Sequence, residues 1–277
     1  MKFSICTPVW LNKDDKDNLR QPRYEMFLRC ANSVFGQTFN DFEWVIADDI
    51  ANPPIENILE EHDSWWKPKG LKVKVVRLAE KGGRIVARNE AMKAATGEWI
   101  TWLDADDEYA SIYLEAIDRA TKCYPDYQMF SLDHLVFSYD FGVSIRKFIN
   151  AEKLGQMPFG SGTIGAGAYV FKRSLFNEVG PIPEKGLWDL ASWAFERYPE
   201  IKPFFWNDKN KGYNSLGNPW GEDFLFYYML VKHLGYKCKY LNTALYYVHS
   251  HYGHRWPEDP DYLLGEEKGP SWNPNRR

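Results

Sequence analysis

The chain has 277 residues, 44% of them hydrophobic and 26% charged, with a net charge of −4. A chain of this size buries a core without disulfide or metal staples, and the composition excludes a disordered protein. The slight acidic excess excludes a broadly basic, phosphate-coating protein, though not a local basic patch.

Seventeen Phe, seventeen Tyr and twelve Trp imply a thick aromatic core, with some Trp and Tyr faces open to a sugar or a nucleobase. The start, MKFSICTPVW, holds no apolar signal core ahead of a cleavage site. The longest apolar run, Phe224–Val231, is far short of the roughly 20 residues a membrane span needs. Cys6, Cys30, Cys123 and Cys238 are scattered without any CxxC pair, as reduced thiols are. The expectation is a cytoplasmic protein with no integral membrane segment.

In chain order, Phe3–Trp10 reads as an apolar strand and Asn12–Arg20 as a charged loop. Tyr24–Phe35 carries Phe27, Cys30, Ala31 and Val34 at helical spacing. Phe42–Ala47 is a second strand ending at Asp48-Asp49, and Ile55–His62 a helix. Leu71–Leu78 alternates as a half-exposed strand. Gly82-Gly83 starts a turn, Ala87–Ala95 is helical, and Glu98–Leu103 is a strand ending at Asp104-Ala105-Asp106-Asp107. Strands alternating with helices imply a mostly parallel sheet. Further on come a helix at Ile112–Cys123, a strand pair within Gln128–Phe141, a strand at Ala168–Phe171 and a short helix from Ser174. Residues 184–219 read as a loop-rich insertion, Glu222–Leu234 as an amphipathic helix and Leu245–Val248 as a strand. The tail from Trp256 contains four prolines and reads as a loosely held extension.

Asp48, Asp49, Asp104 and Asp106 all sit where strands end. In an open parallel sheet, ligands bind beyond those carboxyl ends. Paired carboxylates there suit a hard divalent cation that keeps positions open for phosphate oxygens. Capping and turn formation are the competing role, and for Asp48-Asp49 the two stand level. Three carboxylates within Asp104–Asp107 repel one another unless a cation or a donor sits among them. Gly160-Ser161-Gly162-Thr163-Ile164-Gly165 fits GxGxxG, but it leads into a strand-like segment instead of opening a helix. It is read as a pocket wall, not a dinucleotide site.

CTPVW, FGQTFNDFEWVIADD, GGRIVARNEAMKAATGEWITWLDADD and WGEDFLF together resemble the successive signatures of family 2 glycosyltransferases. These are inverting, nucleotide-sugar-dependent enzymes with a GT-A fold. The resemblance is nearly continuous from Phe3 to Asp107 and patchy afterwards. It implies an α/β, GT-A-like mixed, mostly parallel sheet flanked by helices. Residues 1–110 would form a donor half and 111–255 an acceptor and catalytic-base half of one domain, with 256–277 as the extension. It implies that Thr7 and Pro8 lie against the nucleoside and that Asp49 accepts from uracil N3–H. Gly83 would allow close backbone approach to the nucleotide, and Arg84 or Arg88 would order carboxylates or phosphates. Asp104 and Asp106 form the Asp-x-Asp motif, with Asp106 a metal ligand and Asp104 at the ribose or sugar and the metal's water shell. Asp223, after Glu222, matches the catalytic base, against a competing role as a helix cap. His249, closing YYVH, matches a metal-approaching histidine, ahead of its neighbour His251. Lys81-Gly82-Gly83 and Trp10 depart from the family pattern; Trp10 is read equally as a stacking or a core residue.

The implied reagents are Mn²⁺ or Mg²⁺ and a nucleotide-sugar, UDP-linked. The usual acceptor is a glycan or lipid-linked glycan, with a protein side chain or a modified nucleobase left open. Two rival readings are a nucleotidyltransferase and a noncatalytic nucleotide- or sugar-binding protein. Against the first, TPVWLNKDDK after the opening strand contains no glycine.

Overall fold

The structure, a computed structural model, describes residues 1–12, 22–138, 142–147, 167–185, 187–201, 206–207, 212–213 and 222–250. Asn12–Arg20 beyond Asn12, the GxGxxG segment, Trp220, His251 and the tail lie outside these residues.

Strands β1 (Phe3–Val9), β2 (Phe42–Asp48) and β4 (Trp99–Trp102) are almost wholly buried, which is why they read as continuous apolar runs instead of alternating. β3 (Lys72–Arg77) lies at the sheet edge and keeps its exposed lysines. These four pair in parallel in the order β3-β2-β1-β4. They are connected through α1 (Arg23–Phe35), α2 (Ile55–Glu61) and α3 (Gly83–Ala94). The sheet continues from β4 through β8 (Tyr169–Lys172), β6 (Met129–Ser138), β11 (Lys239–Ser250) and β5 (Glu108–Tyr109), with β7 (Gly142–Arg146) also on β6. β8 is antiparallel to both neighbours, whereas β11 runs parallel to β6. β9 (Trp206–Asn207) and β10 (Gly212–Tyr213) form a separate short pair.

Alternation along the strands sends side chains into two cores. Phe3, Ile5, Trp44 and Ile46 pack with α1, α2 and α4 (Tyr113–Cys123) on one face. Cys6, Val45 and Trp102 pack with α3, α5 (Arg173–Val179), α6 (Leu187–Arg197) and α7 (Glu222–His233) on the other. The arrangement is helices on both faces of one mixed sheet. Among the described residues, no helix is long and apolar enough to cross a membrane.

Three elements correct the sequence reading. α7 is not amphipathic: Phe224 to Val231 are all buried, so a helix apolar all round fills the core between the sheet and its neighbours. The stretch read as a loop-rich insertion contains α6, whose Leu190 and Ala194 are buried. β11 is far longer than Leu245–Val248, and its pairing with β6 shifts register between Leu241 and Ala244 and again before Tyr246. Such irregularities break the two-residue alternation by which a strand is read.

Candidate active site

The carboxyl ends of β1, β2 and β4 lie side by side, and the loops that leave them carry the acids. Asp48 is completely buried and works locally. Its oxygens accept the Ala51 N–H at 2.6 Å and the Ile55 N–H at 3.1 Å. It also pairs with Arg77 at 2.6 Å. Here the cap-and-turn role holds. Asp49, 3% exposed, accepts the Gly82 N–H at 2.7 Å and the Gly83 N–H at 3.0 Å. It thereby supplies acceptors for N–H groups at the head of α3 that have no partner inside the helix. Gly83 has φ +75°, a conformation that other residues adopt only under strain.

After β4, carboxylate oxygens of Asp104, Asp106 and Asp107 gather within 4.8 Å of one another. Asp107 is buried, accepting the Tyr246 hydroxyl at 2.7 Å and the His249 N–H at 3.0 Å. Burial, then the charges of Asp106 and Asp104, push its carboxyl well above the usual range. Asp104 is raised as well, mainly by burial, with Arg88 opposing and Asp106 adding to the shift. Closely packed hard oxygen donors whose negative charge is disfavoured fit a divalent cation. Asp106 is half-buried, and its carbonyl accepts from Arg29 at 2.9 Å. His249 comes alongside through its backbone, but its ring points elsewhere. Nε2 meets the Glu108 carboxylate at 2.6 Å, and the ring stacks on Phe137 at 5.2 Å.

Arg88 joins this turn to the head of α7. Its guanidinium, 5% exposed, pairs with Asp104 at 2.6 Å, contacts Glu222, and lies over the Trp102 ring at 5.0 Å. Glu222, 2% exposed, also meets Arg84 at 3.0 Å, which is itself 54% exposed. Burial favours a neutral Glu222, but Arg88 and then Arg84 outweigh it and hold the carboxyl below its ordinary value. Asp223 goes the other way: burial first, then the adjacent Glu222 charge, push it up to about 6 against the pull of Arg88 and Arg84. A helix N-terminus alone lowers a carboxyl pKa; here burial and a neighbouring anion prevail. Tyr169 donates its hydroxyl to the Asp223 carbonyl at 3.1 Å.

Thr7 is fully buried, its hydroxyl accepting from the Trp44 indole at 2.8 Å, and Pro8 is half-buried at the strand end. Trp10 is half-buried, with Lys81 Nζ 4.1 Å and the Arg23 guanidinium 4.8 Å from its ring centre. It lies at the rim and not in the core.

Residues 22–122, which include α1 to α4 and the Asp104–Asp107 turn, match the family described as Glycosyl transferase family 2. Over this segment the chain is similar to family 2 glycosyltransferases. Among curated relatives, the putative teichuronic acid biosynthesis glycosyltransferase TuaG of Bacillus subtilis is 32% identical over 84 residues, 30% of this chain and 32% of that protein. The poly(ribitol-phosphate) beta-glucosyltransferase of Bacillus spizizenii is 32% identical over 114 residues, 40% of this chain and 16% of that protein. The chain therefore spans a third or less of the length of these relatives. S. aureus TarS 1-349, solved in complex with UDP, superposes with a TM-score of 0.58 at 19% identity, covering 90% of this chain and 61% of that one. Its complex with UDP-GlcNAc gives 0.57 at 18%, covering 92% and 60%. This likeness shows the fold, a GT-A-like mixed sheet flanked by helices.

Several residues of this candidate site escaped the sequence reading. Arg29, on α1, reaches the Asp106 carbonyl and pairs with Glu108 at 3.0 Å. Tyr246 lies between Asp107 and the Asp104 N–H. Tyr169 reaches α7 from β8. Only Tyr246, the first residue of the YYVH signature, had a signal; the other two belong to ordinary helical and strand patterns.

Proposed function

We propose that this chain transfers a sugar from a nucleotide-sugar, UDP-linked, to an acceptor hydroxyl with inversion at the anomeric carbon. The observation that carries the reading is the joining of the Asp104–Asp106 cluster to the Glu222–Asp223 helix head through buried Arg88. Residues 1–110 bind the donor and 111–255 supply the acceptor side and the base. Asp49 takes the uracil N3–H, since each carboxylate oxygen keeps acceptor capacity beside its single backbone bond. Thr7, Pro8 and Gly83 form the wall nearest the nucleoside, and Trp10 presents its ring at the rim. Arg84, largely exposed, is available to a diphosphate.

Asp104 and Asp106 would hold Mn²⁺ or Mg²⁺, which offsets charge on a departing diphosphate. His249 joins them only by exchanging Glu108 for the ion. Asp223 removes the acceptor proton as the oxygen attacks from the face opposite the leaving group. A carboxyl pushed up to about 6 is ionised at neutral pH and still basic enough for this transfer.

The acceptor is assigned as a glycan or lipid-linked glycan, in line with relatives named for teichuronic acid biosynthesis and poly(ribitol-phosphate) glucosylation. The test is a thermal-shift panel of UDP- and other nucleotide-sugars with Mn²⁺, followed by product analysis. One UDP-sugar should raise the melting temperature selectively and release UDP. Pyrophosphate release would convert the reading to nucleotidyl transfer. Binding with no turnover or donor hydrolysis would convert it to a noncatalytic binding protein.

A further inference from the structure

Two consecutive acids open α7, and they do not share surroundings. Glu222 is buried against α3, where Arg84 and Arg88, one helical turn apart, both reach its carboxylate. Asp223 is half-buried at the same helix head. Consecutive helical residues point about 100° apart, so both cannot address the same reacting atom. A carboxylate that satisfies two guanidinium groups is a poor proton acceptor, because taking a proton strands buried positive charge.

We propose that Glu222 is a positioning residue: pinned by Arg84 and Arg88, it fixes the first turn of α7 and maintains a permanent negative charge beside Asp223, which keeps that neighbour basic. This rests on the reading of Asp223 as the base and adds a division of labour within the pair. Among the described residues, the charged and titratable groups that face Asp223 include Glu222 on its own helix, Arg84 and Arg88 from α3, Asp104 from the turn after β4, and Tyr169 from β8. Removing the Glu222 charge leaves the arginines dominant, so Asp223 becomes more acidic. Removing Arg84 leaves Glu222 less compensated, so Asp223 becomes less acidic. Opposite displacements from two substitutions on one ion pair are a signature that loss of packing does not produce.

The experiment is a pH titration of the free protein, labelled with ¹³C at the aspartate carboxyl carbons, with the Asp223 resonance identified by its loss in Asp223→Asn. Glu222→Gln should move the Asp223 midpoint to lower pH, and Arg84→Gln should move it to higher pH, each by at least about half a pH unit. Midpoints unchanged in both variants, or displaced in the same direction, would overturn the proposal. Should Glu222→Gln fail to fold, Arg84→Gln decides alone, because a midpoint that stays or falls contradicts the tuning role. The base assignment is tested separately by turnover of Asp223→Asn. A fully active Asp223→Asn protein removes the base, whereas unmoved midpoints with an inactive Asp223→Asn protein remove only the role given to Glu222.

Discussion

Glu222 and Asp223 are neighbours on one helix, yet their proton affinities move in opposite directions. At the first, two guanidinium groups outweigh burial; at the second, burial and then the charge of the first prevail over the same two guanidinium groups. If Asp223 is the base, turnover rises with pH through about 6 and then levels, since only the ionised form accepts a proton. Asp223→Asn should lower turnover, read as UDP release, by at least about 10²-fold. The Michaelis constant for the donor should stay nearly constant. The same group makes a stability statement. The folded protein holds this proton up to about 6, whereas the unfolded chain releases it near about 4. The folded state therefore binds more protons across that window, and the Asp223 contribution to stability falls as pH rises through it. Urea titrations at pH 4 and pH 7 should show that dependence reduced in Asp223→Asn. At the turn after β4, Asp106→Asn should weaken Mn²⁺-dependent UDP binding at least about tenfold in isothermal titration, as a ligand oxygen and its charge are lost. Asp49→Ala should cost about 1–3 kcal/mol in UDP affinity and its preference for uracil. Because Asp49 also anchors Gly82 and Gly83, the same variant should lose some thermal stability. If Asp49→Ala still prefers UDP over non-uracil nucleotides by the wild-type margin, the base is read elsewhere.

At the scale of elements, α7 and β11 depend on close approach between segments far apart in sequence. Gly167 shows how tight that approach is. It has φ +80°, and a Cβ there would lie 1.9 Å from the Tyr246 ring. Gly235 has φ +57° with open space around it. Gly235→Ala should therefore cost only backbone strain, about 1–2 kcal/mol. Gly167→Ala adds overpacking of about 1–3 kcal/mol, and it displaces the tyrosine whose hydroxyl holds Asp107. Denaturant midpoints with unchanged slopes should show that ranking. If the two variants unfold alike, Tyr246 gives way at no cost. The short, buried parallel strands were legible because each is a compact apolar run ending at a turn residue. β11 was only partly legible, because its register shifts against β6 break the alternation. α6 was hidden within a stretch dense in Trp, Asn and Gly, where an apolar period of three to four residues is hard to see against aromatic positions that pack or lie open according to context.

At the scale of the molecule, residues 1–110 and the residues that follow share one sheet. β4 pairs antiparallel with β8, and Trp102 at the end of β4 stacks on Phe226 of α7 at 5.2 Å. The face of β1, β2 and β4 that carries Cys6, Val45 and Trp102 is covered by α5, α6 and α7 as well as by α3. A fragment of residues 1–110 would thus expose an aromatic and aliphatic face that the intact chain buries. It should show no cooperative thermal transition by calorimetry, whereas the intact chain should melt as one unit. A folded, cooperatively melting fragment would make the donor half an autonomous domain. The Asp104–Arg88–Glu222 chain crosses this same seam, so the turn after β4 and the head of α7 are mechanically part of one body.

The sequence by itself determined the alternation of strands and helices in the first 110 residues, the placement of acids at strand ends, and the family those signatures resemble. Each of these is a local property: an apolar run, a turn residue, or a motif contiguous in the chain. It also located Glu222 and Asp223, but only the family resemblance told them apart, since both are acids at one helix head. Only the tertiary structure decided that Asp48 organises a loop, that Asp107 holds Tyr246 and the His249 backbone, and that the His249 ring lies on Glu108. The same applies to the arginines on Glu222, which lie 134 residues away along the chain in the case of Arg88. Charge and burial at a carboxylate are set by whatever the fold brings within a few ångströms of it, and no local pattern encodes those neighbours.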